Sequence, residues 1–336
     1  MSLRSRPMTR RGALQTLFCA SAALALNLRP RQLSAANFAA DEVHLLSIGD
    51  FGSQAKEQSD VSRAMQKYVA DHQLKTAGLL LLGDNFYSKM EGGVKSKRWD
   101  TGFESMYPAA NFPGPCWAVL GNHDYHDNAD GHNTQLAYAK ETPGTRWTMP
   151  AKWYRIDLPA AEPLVTMLFL DSDLPSVSGG RTAAGAERAC LTAEEVEQQG
   201  AWLKSELAKP RAKFTVAIGH HPLYSNGAHG DIKSLIAAWG GVLQEHDVHV
   251  YLCGHDHDLQ HLELDGLKTS FVVSGGGGAG IRKLKSNRKT PYGKDVYGFS
   301  HLSIGRERLT LRHIDASGLQ VHAFAKLPDG SVQLDV

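Results

Sequence analysis

The sequence predicts a fold of the α/β class, and two patterns support this prediction. Short apolar runs recur along the chain, and segments with the apolar spacing of an α-helix lie between them. The runs are apolar at almost every position, which is typical of strands that are buried on both faces of a sheet. The composition agrees with a globular protein, since 42% of the residues are hydrophobic and 21% are charged.

The first 40 residues are predicted to be an export signal and linker, and residues 41–336 a single domain. Arg10 and Arg11 precede an apolar run from Leu14 to Leu28, and small residues suited to signal cleavage follow it. The arginine pair resembles a twin-arginine signal, which predicts a periplasmic or secreted protein. A basic arm with no targeting role is the alternative. The apolar run is short and interrupted by polar residues, so we expect no stable membrane span in the mature protein.

Five of the apolar runs share one feature, because each leads into a glycine that is followed by a residue type that binds metals. Strands in helix-covered sheets present functional residues on the loops that follow their carboxyl ends, and these ends meet at one edge. Glycine permits a tight turn and a close approach of the backbone there. The five predicted strands are Val43–Ile48, Leu79–Leu82, Trp117–Leu120, Phe214–Ile218 and Val248–Leu252.

These five strand ends predict a shared metal site. A single Gly-Asp pair is usually an ordinary turn, and two histidines separated by one residue can be a solvated strand end. Five such turns in one chain are not explained in that way, so the joint pattern favours a site. The residues expected to converge are Asp50, Asp84, Tyr87, Asn122, His220, His255 and His257.

The segments between the strands predict three helices. Gln58–His72 has helical apolar spacing, and so has Ile232–Glu245. Thr192 and Glu195 have the spacing of a capping box, which predicts a helix that ends before Pro210. Further strands are predicted at Leu164–Leu170, Gly298–Ile304, Leu309–Ile314 and Leu319–Phe324.

Charge and cysteine content limit the possible functions. The 36 Lys and Arg residues balance 35 Asp and Glu residues, so no electrostatic signature of nucleic-acid binding is present and none is expected. Outside the predicted signal the cysteines are Cys116, Cys190 and Cys253, an odd number that excludes a disulfide framework but leaves one bridge open. The glycine run Gly275–Gly280 is not followed by Lys and Ser or Thr, so it is not a P-loop.

The motifs at the five strand ends resemble those of the calcineurin-like metallophosphoesterases. Among these, the sequence is most similar to purple acid phosphatases of the tartrate-resistant type, because Tyr87 follows Asp84 by three positions. The resemblance extends from about Asp41 into the last strands. It implies a four-layer α/β/β/α sandwich of two mixed β-sheets flanked by helices, with the site at one sheet edge. The motifs are Gly49-Asp50-Phe51-Gly52, Gly83-Asp84-Asn85-Phe86-Tyr87, Gly121-Asn122-His123-Asp124, Gly219-His220-His221-Pro222 and Gly254-His255-Asp256-His257.

The resemblance also implies a dinuclear centre in which Asp84 is shared by both metal ions. Hard anionic donors favour Fe(III) in the first position, and the second position suits Fe(II), Zn(II) or Mn(II). Such a pair of ions holds a phosphate ester and generates a hydroxide nucleophile. The first set of ligands is Asp50, Asp84, Tyr87 and His257, and the second set is Asp84, Asn122, His220 and His255.

Residues around the metals are assigned by the same resemblance. His123 and His229 match histidines that contact the phosphate or protonate the leaving group, although His229 is alternatively a solvated loop residue. Asp124 is predicted to orient His123 or its loop. His221 stands where the animal enzymes often carry an aromatic residue. The segment Asp173–Ala189, rich in Ser, Gly and Ala, is predicted to be a flexible loop and matches a covering loop of these enzymes, which suggests a regulatory lid.

Together these observations predict an exported acid phosphatase, a metal-dependent hydrolase of small phosphate monoesters. One alternative is a phosphodiesterase or nucleotide-cleaving metallophosphoesterase with two divalent metals. Another is a non-catalytic metal-binding protein of the cell envelope. The sequence leaves the oligomeric state open.

Overall fold

Two β-sheets lie face to face in the computed structural model, which describes residues 41–336 except 129, 184, 286–287 and 335. The predicted export signal therefore lies outside the described residues. In the first sheet the strands β1 to β4 run parallel to one another, and the others pair antiparallel. In spatial order this sheet contains β15 (Val332–Leu334), β14 (Gln320–Lys326), β13 (Leu309–Asp315), β12 (Gly298–Ile304), β1 (Val43–Ile48), β2 (Thr76–Leu82), β3 (Cys116–Val119) and β4 (Trp147–Thr148).

The second sheet is also mixed. Its strands β6, β7, β8 and β10 are parallel, whereas β5, β9 and β11 pair antiparallel with their neighbours. In spatial order it contains β11 (Tyr292–Lys294), β9 (Leu259–Leu262), β10 (Ser270–Ser274), β8 (Val250–Cys253), β7 (Phe214–Ile218), β6 (Val165–Phe169) and β5 (Tyr154–Leu158).

Helices cover the outer faces of both sheets. Residues of the first helix pack against the first sheet, and residues of the fourth to sixth helices pack against the second. Short π-helical segments occupy Trp99–Glu104 and Ile236–Gly240, and a 3₁₀ turn occupies Gly93–Lys95. The α-helices are α1 (Lys56–Asp71), α2 (Asn122–His126), α3 (Gly131–Glu141), α4 (Ala193–Ala208), α5 (Lys233–Leu235) and α6 (Gly241–Glu245).

The continuous apolar runs explain why the sheets are buried on both faces. Successive side chains of a strand point to opposite faces, so a fully apolar strand contributes to two cores. In β2, Leu79 and Leu81 pack under the helices, whereas Leu80 and Leu82 pack between the sheets. Three apolar cores thus separate four layers, which confirms the predicted α/β/β/α sandwich.

The capping box at the start of α4 is formed as predicted. The Thr192 hydroxyl accepts the Glu195 N–H at 3.2 Å, and the Glu195 carboxylate accepts the Thr192 N–H at 2.9 Å. The predicted helix Ile232–Glu245 differs, because a π-helical segment that ends at Gly240 separates α5 from α6.

The predicted loop Asp173–Ala189 contains no helix in its described part, and one isolated bridge joins Arg181 to Glu187. Cys116, Cys190 and Cys253 are free thiols. No helix among the described residues is both long and apolar enough to span a membrane.

Candidate metal centre

The predicted site residues follow strands of both sheets. Asp50, Asp84 and Asn122 follow β1, β2 and β3 of the first sheet, whereas His220 and His255 follow β7 and β8 of the second. The strand pattern predicted one sheet edge, but the site residues lie at the adjacent ends of two sheets. A hydrogen bond of 2.8 Å from the Gly49 N–H to the Ser274 carbonyl joins the two ends, because β1 and β10 finish at the same level.

Three of the predicted ligands have a left-handed backbone. The φ angles are 57° at Asp50, 50° at Asp84 and 68° at His255. Residues other than glycine adopt this conformation rarely, and it costs about 1–3 kcal/mol where the surrounding structure imposes it. Its occurrence at three candidate ligands indicates that the chain accepts strain to direct these side chains.

Glycines next to the ligands leave room for carboxylates. A Cβ atom on Gly121 would lie 2.4 Å from the Asp84 Oδ1 atom, and one on Gly254 would lie 2.6 Å from the Asp50 Oδ2 atom. These distances are shorter than any normal contact. The close approach that the sequence analysis expected of these glycines is therefore present.

The first group of predicted ligands surrounds the Asp50 carboxylate, which is fully buried. Its Oδ1 atom lies 3.3 Å from the Tyr87 hydroxyl and 3.4 Å from His257 Nε2. The Tyr87 hydroxyl also lies 3.4 Å from His257 Nε2. The Asp50 Oδ2 atom accepts the His255 N–H at 2.8 Å, so the carboxylate is held from both sides.

The second group surrounds the Asp84 carboxylate. Its Oδ1 atom lies 3.4 Å from His220 Nε2 and accepts the His123 N–H at 2.9 Å. His220 Nε2 is in turn 3.2 Å from His255 Nδ1. The Asn122 Oδ1 atom is buried and has no hydrogen-bond partner among the described residues. Ligand atoms of Asp50, Asp84 and His220 all lie within 4.8 Å of one another, so the two groups are contiguous.

The hydrogen bonds around the histidines fit a cation at this place. His220 Nδ1 lies 2.8 Å from the Leu82 carbonyl, and His257 Nδ1 lies 2.7 Å from the Gly280 carbonyl. Because a carbonyl oxygen only accepts, each Nδ1 atom must donate a hydrogen bond to it. The Nε2 atom of the neutral ring then carries a lone pair that points at a carboxylate oxygen. Lone pairs that face one another are stable only with a proton or a cation between them. Backbone carbonyls commonly orient metal-binding histidines in this way.

The electrostatics of the same groups show that they interact with one another. Burial raises the pKa of the Asp84 carboxyl, but the charges and hydrogen bonds of His220 and His123 outweigh burial and hold it well below its usual range. Burial lowers the pKa of His220, yet Asp84 raises it to about 10. Burial and the charges of Asp84 and Asp50 raise the pKa of the Tyr87 phenol. Metal ions compete with protons for such ligands.

A cavity of about 580 Å³ opens beside these residues. The loop 173–189 contributes Ser176, Val177, Ser178, Thr182 and Arg188 to its wall. The loop therefore borders the site, and a regulatory role for it stays a prediction. Residues near the metal centre that line the cavity are Asn122, His123, His221, His229 and His255.

Each of the two predicted catalytic histidines is hydrogen-bonded to a carboxylate, and neither carboxylate was predicted to have this role. His123 Nδ1 lies 3.0 Å from Asp127 Oδ2, and His229 Nδ1 lies 2.8 Å from Asp256 Oδ1. Burial lowers the pKa of His123, but the hydrogen bond and charge of Asp127, together with the charge of Asp84, outweigh burial and raise it. The spacing His123-x-x-x-Asp127 brings the two side chains together only because α2 is helical.

His221 also lies beside the predicted ligands, and its nitrogen is within 4.8 Å of those of His220 and His255. The Ser172 hydroxyl accepts the N–H groups of His220 and His221 at 3.2 and 2.9 Å. Its own proton therefore points to His221 Nδ1, 2.8 Å away. This arrangement leaves His221 neutral with the ring proton on Nε2, so the ring is a hydrogen-bond donor.

Asp124 is buried and holds loops together. Its carboxylate accepts the N–H groups of Gly121, Asn85 and Phe86 at 2.9, 3.1 and 3.1 Å, and an N–H of the Gln135 side chain at 2.7 Å. Its hydrogen bonds do not include the His123 ring. Asp124 thus ties the loop after β2 to the start of α2.

Comparisons with known proteins agree with this architecture. Residues 43–259 match the calcineurin-like phosphoesterase family. Tartrate-resistant acid phosphatase type 5 of the pig, Sus scrofa, is 31% identical over 304 residues, which is 85% of this chain and 87% of the pig protein.

Solved structures support the fold. GAP50, the anchor in the inner membrane complex of Plasmodium, has a TM-score of 0.67 at 20% identity and covers 84% of this chain and 87% of its own. Purple acid phosphatase PPD1 from yellow lupin seeds, Lupinus luteus, has a TM-score of 0.64 at 16% identity and covers 84% of this chain and 53% of its own.

Two mixed sheets with carboxylates and imidazoles at their adjacent ends define a metal-dependent phosphoesterase. The chain belongs to the calcineurin-like phosphoesterase family and, within it, to the purple acid phosphatases of the tartrate-resistant type. The predicted resemblance is thereby confirmed, as is the prediction of a metal-dependent phosphoric monoester hydrolase. Membership implies a dinuclear metal centre and a small phosphate ester as substrate, and the convergent donors described above fit such a centre.

Proposed function

We propose that the chain is an exported acid phosphatase whose dinuclear centre contains Fe(III) and a divalent ion. Asp50, Asp84, Tyr87 and His257 would hold Fe(III). Fe(II), Zn(II) or Mn(II) would be held by Asp84, Asn122, His220 and His255. When bound, the two ions would acidify a water molecule and neutralise charge on the phosphate ester.

The observation that supports this choice of metals most strongly is the position of Tyr87. Its hydroxyl lies 3.3 Å from the Asp50 carboxylate and 3.4 Å from His257 Nε2. The phenol is therefore placed to supply an anionic oxygen donor beside a carboxylate and an imidazole. A trivalent ion has the charge that is needed to displace the phenolic proton, and hard anionic oxygens are the donors it prefers.

The histidines of the cavity would bind the substrate and transfer protons. The hydrogen bond to Asp127 favours the protonated form of His123, which would stabilise charge on the phosphate or protonate the leaving alcohol. His229, held by Asp256, would contact the phosphate from another side. Asp124 would act as a positioning residue, because it holds the loop that carries His123.

The test is metal analysis and a visible spectrum of the purified protein. We expect iron together with a second metal, and a purple colour from charge transfer between tyrosinate and iron. Tyr87→Phe should lose the colour while the far-UV circular dichroism stays unchanged. Two divalent metals and a colourless protein with full activity towards aryl phosphates would contradict the assignment of Fe(III).

Export is proposed from the sequence alone, because residues 1–40 lie outside the described part. Replacing Arg10 and Arg11 together by Lys should leave the protein in the cytoplasm, since the twin-arginine pathway reads this pair. Unchanged export of the double variant would refute the signal assignment.

A further inference from the structure

Arg188 is a cation on the wall of the site cavity. In the part of the chain that the structure describes, its guanidinium takes part in no ion pair, whereas neighbouring Arg181 is paired with Glu187 at 3.5 Å. An arginine that lines an active-site cavity and lacks a carboxylate partner is free to bind an anion from solution.

The loop directs Arg188 towards the cavity through a small hairpin. Arg181 and Glu187 pair as an antiparallel bridge, and the Arg188 N–H donates to the Gly180 carbonyl at 2.8 Å. Successive side chains on an extended strand point to opposite faces. Arg181 and Glu187 therefore share one face of the hairpin, and Thr182 and Arg188 lie on the other face, where they line the cavity and are also exposed to solvent.

The neighbouring charges leave Arg188 available for a ligand. Asp127 lines the same cavity, but its Oδ2 atom lies 3.0 Å from His123 Nδ1 and accepts the Ser88 N–H at 2.6 Å, and among the described residues it forms no ion pair with Arg188. His126 also lines the cavity. Burial and the positive charge of Arg188 lower the pKa of His126, so the guanidinium is close enough to interact with this side chain.

We propose that Arg188 determines specificity by binding a second phosphate group, carried on the leaving group of the substrate. The proposal rests on the proposed function, in which the transferred phosphate binds at the metal centre. A guanidinium binds phosphate through two parallel hydrogen bonds. The cavity of about 580 Å³ extends from Asn122 and His255 to Arg188, so it has room for more than the transferred phosphate.

The experiment compares two substrates in wild type and in Arg188→Gln. Hydrolysis of phenyl phosphate releases a neutral phenol, whereas hydrolysis of ADP to AMP and inorganic phosphate leaves a phosphate on the leaving group. We expect kcat/KM for ADP to fall about tenfold to a hundredfold, mainly through KM, because a charged hydrogen bond is lost. The value for phenyl phosphate should change less than about twofold.

Two further variants serve as controls. Arg181→Gln removes a charge from the opposite face of the same hairpin and should leave both substrates unaffected. Arg188→Lys keeps the charge but not the planar fork, and should retain part of the preference for ADP.

Three results would overturn the inference. An equal loss on both substrates would mean that Arg188 acts on the transferred phosphate or on the loop, and no loss on ADP would mean that it binds no second phosphate. In both cases wild-type turnover of phenyl phosphate would leave the proposed function intact. A wild-type protein with its metals that hydrolyses neither substrate would refute the proposed function, and this inference with it.

Discussion

Single carboxylates outside the predicted ligand sets determine how the cavity histidines are held. Asp127 and Asp256 each bind the Nδ1 atom of a histidine, and each comes from a short segment beside a predicted ligand. Neither could be assigned from the sequence, because aspartates adjacent to a motif are common and only the local backbone gives them a partner. His221 is held in a similar way by Ser172, which lies 49 positions away in the chain.

The role of Asp127 leads to a prediction about leaving groups. Asp127→Asn keeps the acceptor for the Ser88 N–H but removes the charge that favours protonated His123. We expect kcat for an alkyl phosphate to fall about tenfold or more, since a poor leaving group requires a proton. With 4-nitrophenyl phosphate the loss should be small.

The control is Asp130→Asn. The Asp130 carboxylate accepts a hydrogen bond from the exposed Asn133 side chain, so this variant removes a nearby charge from the protein surface. Equal losses on the alkyl and aryl substrates in Asp127→Asn would argue against a role of His123 in protonating the leaving group.

Gly121 gives a second prediction. Because a Cβ atom there would lie 2.4 Å from both the backbone nitrogen and Oδ1 of Asp84, Gly121→Ala must displace the Asp84 carboxylate. We expect the variant to lose most of its metal, as measured by elemental analysis. Gly200→Ala is the matched control, since nothing lies within 4 Å of its added Cβ.

Gly200 lies within α4, so its alanine variant should keep the metal and gain about 0.5–1 kcal/mol in unfolding free energy. Full metal content in Gly121→Ala would show that the close contact is not needed for the site.

The sequence allowed the fully buried strands to be predicted, but not the partly exposed strand β5 or the short π-helix. Val43–Ile48, Phe214–Ile218 and Gly298–Ile304 were predicted with the observed bounds, since every side chain in them is buried. By contrast β5 is half-exposed, with Arg155 and Asp157 between its apolar residues, so it lacks a continuous apolar run. The π-helix Trp99–Glu104 was missed because its residues favour no single element locally.

The ligand positions were predictable for a related reason. Each follows a strand whose burial is visible in the sequence, and parallel strands end together. What the strand pattern could not show was that the site residues divide between two sheets, because β1 and β10 meet through tertiary contacts alone. The same holds for the hairpin at Arg188, which depends on a bridge between Arg181 and Glu187.

Strand β13 gives a prediction about pH. His313 is fully buried, and its ring binds the Ser300 hydroxyl at 2.8 Å and the Gln260 carbonyl at 3.1 Å. Burial and the charge of His322 lower its pKa to about 3, whereas the ordinary value is 6.5. The unfolded chain therefore binds a proton that the folded protein excludes, so stability is complete above pH 6.5 and is lost as the pH falls towards 3.

Between these values His313 should contribute about 1.4 kcal/mol per pH unit to the decline of the unfolding free energy. Denaturant unfolding at pH 5.5 and 4.5 measures this slope. His313→Gln should have a shallower slope by that amount, and an unchanged slope would contradict the neutral buried ring.

The metal centre connects the two halves of the sandwich. Asp50 and Asp84 come from the first sheet, while His220 and His257 come from the second, so bound metals would tie the sheets together at one end. The carboxylates and imidazoles, which need a proton or a cation between them, would then become a source of stability. The proposed function and the stability gained from bound metals thus depend on the same residues of the two sheets coming together.

The most direct test of this convergence is the metal content of Asp84→Asn, measured by elemental analysis of the folded protein beside wild type and His257→Ala. The proposed sharing of Asp84 predicts two metal ions per chain in wild type, a loss of both in Asp84→Asn, and the selective loss of iron in His257→Ala. An Asp84→Asn variant that keeps two metals and full phosphatase activity would contradict the account.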